Sequence, residues 1–342
     1  MPDPSRRRLL RGLSAGLGLS ALGAGLSLAP GARLLAAQAG DFIIGPPVPD
    51  VAPRQLSEHV WLIHAEDGFP TPENRGLMAS ITFVVTSAGV VVLDPGCSLQ
   101  IGRMAIRMIR RVTERPVVAV FNSHYHGDHW LANHAFVEAF GADLPIHALE
   151  HTIAQIRGVE GSMWRTMMDR WTNQATAGTE VVAPNRTVVH GQRLRFGDVT
   201  LALHHHGTAH TPSDLNVEVV EDRVTHVGDI AMGDRIANID DGSYPGTFRC
   251  YAALRRDAGR QLWLPGHGLP SHDLLDRYEL FLRGIWEPCL QAVKDGADEA
   301  EARARVLRDP RVAERAATMA GFAANIGKYV SLAYLEAEKE AF

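Results

Sequence analysis

The chain has 342 residues, 46% of them hydrophobic, and a formal net charge of −5. This composition is typical of a globular protein with a sizeable core and excludes a disordered or fibrous chain. Since no strong basic cluster lies beyond the N-terminus, we expect no nucleic-acid binding. The three cysteines, Cys97, Cys250 and Cys289, are too few for a disulfide framework, and we expect buried thiols.

The N-terminal 39 residues have the three parts of a secretory signal. Basic Arg6-Arg7-Arg8 precedes an apolar run over residues 12–29 and the small-residue site Ala37-Gln38-Ala39. The paired arginines resemble the twin-arginine (Tat) type, which exports folded proteins. The run is short and glycine-rich, so a permanent membrane span is not expected. We therefore predict a periplasmic protein, cleaved near Ala39, whose precursor uses the Tat export machinery.

Regular structure is predicted to start near His59, after a loose, proline-rich lead-in over residues 40–57. Short β-branched runs predict strands, and an apolar stripe at helical spacing predicts a helix. The predicted strands are Val60–His64, Ile81–Val85 and Val90–Leu93, and the predicted helix is Ile101–Val112.

Further along, metal-type side chains repeatedly follow the end of an apolar strand. In layered α/β proteins, ligands bind at such an edge because the loops converge there on rigid strands. The four pairs are Val117–Phe121 with His124, Val199–Leu203 with His210, Val224–Val227 with Asp229, and Leu262–Leu264 with His267.

Two segments are predicted to be helical. Residues 146–180 carry Met163, Trp164, Met167, Met168 and Trp171 at helical spacing, as either a core stripe or an apolar cover over a binding site. Residues 271–342 form a C-terminal helical extension of two or three helices, including the Ala/Glu/Arg-rich 295–308 and the apolar-striped 319–337.

The most specific motif is His124-Tyr125-His126-Gly127-Asp128-His129. Alternate histidines on an extended segment can point the same way and hold one ion. Asp128 and His129, beyond the turn at Gly127, can face a second ion. Imidazole and carboxylate ligands suit Zn²⁺.

With four further segments, this motif resembles the metallo-β-lactamase superfamily over residues 58–270. The resemblance implies a four-layer αββα sandwich with two metals at one edge of the sheets. The further segments are Val92-Leu93-Asp94-Pro95-Gly96, Gly207-Thr208-Ala209-His210-Thr211, Gly228-Asp229 and Pro265-Gly266-His267-Gly268.

The same resemblance implies a role for each ligand. Asp229 would bridge the metals, as in the glyoxalase II-like hydrolases, and Asp94 would fix the ligand loop by hydrogen bonds. The signal peptide and helical tail look most like the quinoprotein relay system zinc metallohydrolases. The first metal would take His124, His126 and His210, and the second Asp128, His129 and His267.

We therefore predict an exported dinuclear zinc hydrolase acting on a small-molecule substrate. A metal-bridging hydroxide would attack an ester, thioester, lactone or lactam carbonyl, with Asp128 as the catalytic residue that orients it. The alternative is a mononuclear iron persulfide dioxygenase, which shares these ligands; a metal-dependent binding or sensor protein is a third reading. We interpret His204, His205 and His206 as the end of a strand. Cys97 lies in a loop that the fold would bring near the metals, where a reactive thiol is the alternative to a buried, inert one.

Overall fold

The computed structural model describes residues 44–66, 68–236 and 239–341 of the chain. The predicted signal peptide lies outside the described residues, so export stays a prediction. The first sheet has its seven strands in chain order, and the second has the order β12-β11-β10-β9-β8. The strands are β1 (Arg54–Gln55), β2 (Val60–Ile63), β3 (Ile81–Thr86), β4 (Gly89–Leu93), β5 (Val117–Phe121), β6 (Ile146–Leu149), β7 (Arg186–Val188), β8 (Arg193–Phe196), β9 (Val199–His204), β10 (Asn216–Val219), β11 (Val224–Gly228) and β12 (Leu262–Pro265).

Helices cover the outer faces of both sheets, and a short 3-10 turn, Gly127–His129, lies inside the predicted metal motif. None of the helices in the described ranges is both long and apolar enough to cross a membrane. The helices are α1 (Leu99–Val112), α2 (Asn133–Phe140), α3 (Glu150–Arg157), α4 (Val159–Trp171), α5 (Tyr244–Ala258), α6 (Leu274–Lys294), α7 (Glu299–Arg308), α8 (Pro310–Ala316) and α9 (Phe322–Ala341).

The layers follow from the alternation of side chains along the strands. In β3 and β4, Phe83 and Val92 pack in the cluster that holds α1, while Val84 and Val91 pack against Leu201 of the second sheet. On the other side, Trp263 of β12 packs in the cluster formed by α5, α6 and α9. The order helix, sheet, sheet, helix confirms the predicted four-layer αββα sandwich.

Helix α1 shows how local sequence produces this arrangement. The Ser98 side chain accepts a hydrogen bond from the backbone N–H of Ile101 and so caps the first turn. The predicted apolar stripe is buried against the first sheet, and Arg110 and Arg111 lie in the last turn, where positive charge suits the helix dipole. The helix begins at Leu99, two residues before the predicted start.

Two helical predictions need correction. Residues 146–149 are strand β6, because His147 pairs with Phe121 of β5 and Arg186 of β7, and the residues after Trp171 form turns. The C-terminal extension is confirmed, but its described residues, 271–341, form four helices in place of two or three. Pro310 begins α8 directly after the cap Asp309, which separates α8 from α7.

The C-terminal extension contributes to the main core, which gives a test of the fold. Tyr329 of α9 is 1% exposed and its carbonyl accepts a hydrogen bond from the Tyr244 hydroxyl. We expect Tyr329→Ala to lower the free energy of unfolding by about 3–5 kcal/mol, as for other large aromatic truncations. Leu335→Ala, on the same helix and 53% exposed, should change it by less than about 0.5 kcal/mol. Equal effects in denaturant titrations would contradict this packing.

Candidate metal centre

The sandwich brings all seven predicted ligands to one edge. They lie in the loops that follow β5, β9, β11 and β12, and every one is buried. Rigid strands therefore position side chains that come from four separate parts of the chain. The seven are His124, His126, Asp128, His129, His210, Asp229 and His267.

These side chains form two adjacent clusters. The ligand atoms of His124, His126 and His210 lie within 4.8 Å of one another, and so do those of the four remaining residues. One oxygen of Asp229 faces both clusters. Its Oδ2 lies 3.8 Å from Nε2 of His210, 3.4 Å from Nε2 of His129 and 3.3 Å from Nε2 of His267.

The close approach of these groups requires glycine at position 266. A Cβ built there would lie 2.4 Å from Oδ1 of Asp229 and 2.6 Å from Cε1 of His129. The backbone N–H of Gly266 bonds to the carbonyl of Gly228, which holds the ends of β11 and β12 together. A side chain at this position would therefore displace two ligands at once.

Asp94 determines which imidazole nitrogens carry protons. Its Oδ2 lies 2.6 Å from the Ser123 hydroxyl, 2.9 Å from Nδ1 of His129 and 2.9 Å from Nε2 of His226. An ionised carboxylate only accepts, so each partner donates to it. The Ser123 hydroxyl therefore donates its one proton to Asp94 and can only accept a second hydrogen bond. Nδ1 of His124 lies 2.9 Å from that hydroxyl, so Nδ1 carries a proton and donates to the Ser123 oxygen. In the neutral form, both His124 and His129 therefore carry their proton on Nδ1, so Nε2 is the nitrogen that can bind an ion.

His267 is oriented in the same way by the backbone. Its Nδ1 lies 2.8 Å from the carbonyl of Met78 and also 2.8 Å from Nη1 of Arg235. The Met78 carbonyl needs a proton on Nδ1, whereas Arg235, which can only donate, needs a lone pair there. Only one of these two contacts can therefore be a hydrogen bond. The arrangement in which Nδ1 donates to Met78 leaves Nε2 facing Asp128 and Asp229, as a ligand requires.

The two clusters differ in charge. Burial, reinforced by the neighbouring His126, lowers the pKa of His210 to about 3, and burial with His129 lowers the pKa of His124 well below its usual value. In the second cluster, burial lowers the pKa of His129, but Asp229 and the other nearby carboxylates outweigh it and raise that pKa well above its usual value. The first cluster therefore offers neutral imidazoles, and the second attracts a cation.

Unpartnered buried atoms support a metal site. Nε2 of His124, His126 and His129 and Oδ1 of Asp229 make no hydrogen bond within the described part of the chain. Buried polar atoms without partners are costly unless an ion or water meets them. Nitrogen and carboxylate donors in this number fit two Zn²⁺ ions. The residues present therefore fit the metal pair.

A cavity of about 310 Å³ opens onto the clusters. Its volume is in the range of small-molecule sites. Trp164 and Trp171 from α4 line it, whereas Met168 is fully buried in the core. The Met/Trp stripe therefore serves both predicted roles, because α4 lies between the core and the cavity. The remaining apolar wall is Phe69, Pro70 and Met78.

Sequence patterns missed several residues of this site. Arg235 is 2% exposed, lines the cavity and has its guanidinium carbon 4.8 Å from the centre of the Phe69 ring. His226 on β11 completes the set of donors to Asp94. No motif marks them, although His226 stands alone as a histidine within an apolar strand.

Cys97 is buried and donates to the carbonyl of Gly76, and burial together with Asp128 raises the pKa of its thiol, so the reactive-thiol interpretation is not supported.

Comparisons with known proteins agree with this fold. The family model of the metallo-beta-lactamase superfamily matches residues 74–291. A metallo-beta-lactamase from Pontibacter korlensis is similar with a TM-score of 0.52 at 17% identity, over 66% of this chain and 94% of that one. The DIM-1 metallo-beta-lactamase has a TM-score of 0.52 at 13% identity, over 68% of this chain and 97% of that one. A double mutant of the sec-alkyl sulfatase PisA1 has a TM-score of 0.64 at 16% identity, over 84% of this chain and 50% of that one.

The role of Asp94 can be tested by Asp94→Asn. Asn keeps the shape and tolerates the left-handed backbone found here, with φ of 51°, but it removes the charge that fixes two tautomers. We expect metal affinity to fall about 10–100-fold with the fold retained. Asp222→Asn is the matched control, since Asp222 is a buried carboxylate 2.6 Å from Nδ1 of His59 and outside both clusters. Equal metal affinity in the two variants, measured by chelator competition, would refute the assignment.

Proposed function

Because the chain belongs to the metallo-beta-lactamase superfamily, whose members are generally metal-dependent hydrolases, we propose that it is a dinuclear zinc hydrolase. The proposed substrate is a small molecule with an ester, thioester, lactone or lactam carbonyl. The sequence further supports export of the precursor to the periplasm through the Tat machinery, followed by cleavage near Ala39. Folding before export would let the metals be loaded in the cytoplasm.

The observation that carries the proposal is the position of Asp229. A single carboxylate oxygen within 3.8 Å of ligands from both clusters is the geometry that two adjacent ions need from a bridging group. A second site built from Asp128, His129 and His267 lies next to it. Two-metal sites with ions about 3.5–4 Å apart are a hydrolytic arrangement.

The zinc ions would supply acidity to a bound water and charge that stabilises a developing oxyanion. The protein supplies orientation. Asp128 lines the cavity and its Oδ2 is 3.0 Å from Nε2 of His267. Burial raises the pKa of Asp128, but His129 and His267 hold it well below its usual value, so the group is a carboxylate at neutral pH. It can therefore accept a hydrogen bond from a water molecule and orient that water toward the substrate.

The cavity wall favours a particular kind of substrate. Trp164, Trp171 and Phe69 present apolar surface, which excludes water and strengthens electrostatic interactions at the clusters. Arg235 is the cation among the lining residues, and its Nε makes no hydrogen bond to the described residues. A substrate with an apolar part and a negatively charged group would match both features.

The ligand assignment predicts the effect of single substitutions. His126→Ala and Asp229→Ala should each lose bound metal and more than about 100-fold of the turnover of a chromogenic lactam or thioester. Asp128→Asn should lower kcat more than it lowers affinity of the first cluster for metal. His151→Ala, an exposed histidine on α3 outside both clusters, should behave as wild type. Wild-type turnover in His126→Ala would refute the site; persulfide-dependent oxygen uptake would instead support the iron dioxygenase.

The cavity wall can be tested separately from the core. Trp171 is 44% exposed and lines the cavity, so Trp171→Ala should raise KM for an apolar substrate several-fold with little change in Tm. Met168→Ala, one turn earlier and fully buried, should cost about 2–5 kcal/mol of stability and leave KM unchanged. The opposite pattern, a stability loss for Trp171→Ala with constant KM, would remove this helix from the substrate site.

A further inference from the structure

Three histidines outside the metal centre meet on the second sheet. His190 lies in the turn between β7 and β8, His204 ends β9, and His206 follows two residues later. One ligand atom from each lies within 4.8 Å of the other two. We propose that these residues bind one further divalent transition-metal ion, independent of the catalytic pair.

The backbone brings the three rings together. Leu201 and Leu203 of β9 point into the layer between the sheets, so alternation turns His204 to the opposite face. The turn that carries His190 is held against β9 by two hydrogen bonds. The N–H of Gly191 bonds to the carbonyl of Leu203, and the N–H of Leu203 bonds to the carbonyl of Gln192. The cluster therefore rests on a sheet and does not depend on chance contact between mobile side chains.

His204 is already oriented as a ligand. Its Nε2 lies 2.9 Å from Oε2 of Glu218 on β10, and the two side chains are 10% and 11% exposed. Gln261 donates to the other carboxylate oxygen, which keeps Glu218 in place. Because the carboxylate accepts the proton on Nε2, Nδ1 of His204 is left as a lone-pair donor. A carboxylate behind a ligating histidine is the usual second contact of metal-bound imidazole.

His206 supplies an independent indication. Its side chain is 10% exposed, and its buried Nε2 makes no hydrogen bond within the described residues. Oδ2 of Asp257, at the end of α5, lies 3.5 Å from that nitrogen. A buried nitrogen without a hydrogen bond, beside two other imidazoles and a carboxylate, is best satisfied by a cation.

His190 is the solvent-exposed member of the three histidines. Its ring is exposed, and its Nδ1 accepts a hydrogen bond from the backbone N–H of His205. To bind through Nε2, His190 must release that hydrogen bond, because a metal-bound imidazole carries its proton on the other nitrogen. Three imidazoles suit Zn²⁺, Ni²⁺ or Cu²⁺ and do not suit Ca²⁺ or Mg²⁺.

An ion at this site would stabilise the structure and would take no part in catalysis. It would tie the turn at His190 to the end of β9 and to His206, which lies four residues before His210 of the catalytic centre. His205, between the proposed ligands, already has its Nδ1 3.0 Å from the carbonyl of Asp214. Metal at this site should therefore stabilise the loop that carries His210.

The test is zinc stoichiometry of the full chain. Chelator-treated protein is reloaded with Zn²⁺, desalted and assayed for zinc, and we expect three equivalents. His190→Ala with His206→Ala should bind two and keep wild-type hydrolysis. His134→Ala is the matched control, because Nδ1 of His134 likewise accepts a backbone N–H, from Glu180, outside any cluster, and it should bind three.

A second variant keeps the inference testable if the double substitution impairs folding. Replacing His126, His129 and Asp229 together by Ala, which removes ligands from both catalytic clusters, should leave one tightly held zinc ion, and adding His190→Ala should remove it. Melting temperature should rise with Zn²⁺ in the first of these variants and not in the second. Unchanged stoichiometry on loss of His190 and His206, or no zinc-dependent rise, would overturn the proposal.

Discussion

The buried carboxylate of Asp94 is the interaction on which the site depends. It accepts hydrogen bonds from the backbone and hydroxyl of Ser123 and from His129 and His226. Burial raises its pKa, but His129 and His226 outweigh that effect and hold the pKa far below its usual value, so it stays ionised. It thereby sets the proton position of one ligand in each cluster. A single charge at the end of β4 thus prepares both halves of the centre.

The sandwich makes such a concentration of charge possible. Asp94, Asp128 and Asp229 are almost fully buried, and isolated buried anions would destabilise the fold. Strands from both sheets end at the same edge, so neighbouring imidazoles meet each carboxylate. The remaining unpartnered atoms, such as Nε2 of His124 and Oδ1 of Asp229, indicate where cations belong. Fold stability and metal binding are therefore coupled at this edge.

Local periodicity and one dense motif in the sequence were enough to predict individual strands and the candidate metal ligands. Strand β5 was predicted with its observed bounds, and the ligand motif identified residues that the fold brings together. Residues 146–149 were mistaken for helix because pairing with two neighbouring strands overrides local preference. The Met/Trp stripe was recognised, but Phe69 and Arg235 of the cavity wall were missed because they come from separate loops without a motif. His204 and His206 were interpreted only as a strand end, since their partner His190 is distant in sequence.

Anomalous diffraction at the zinc and iron edges, from crystals of protein purified without added metal, tests most directly whether two zinc ions bind here. We expect zinc peaks in both clusters, about 3.5–4 Å apart, with the Asp229 carboxylate between them. A single iron peak at His124, His126 and His210, with the second cluster containing no metal, would contradict it.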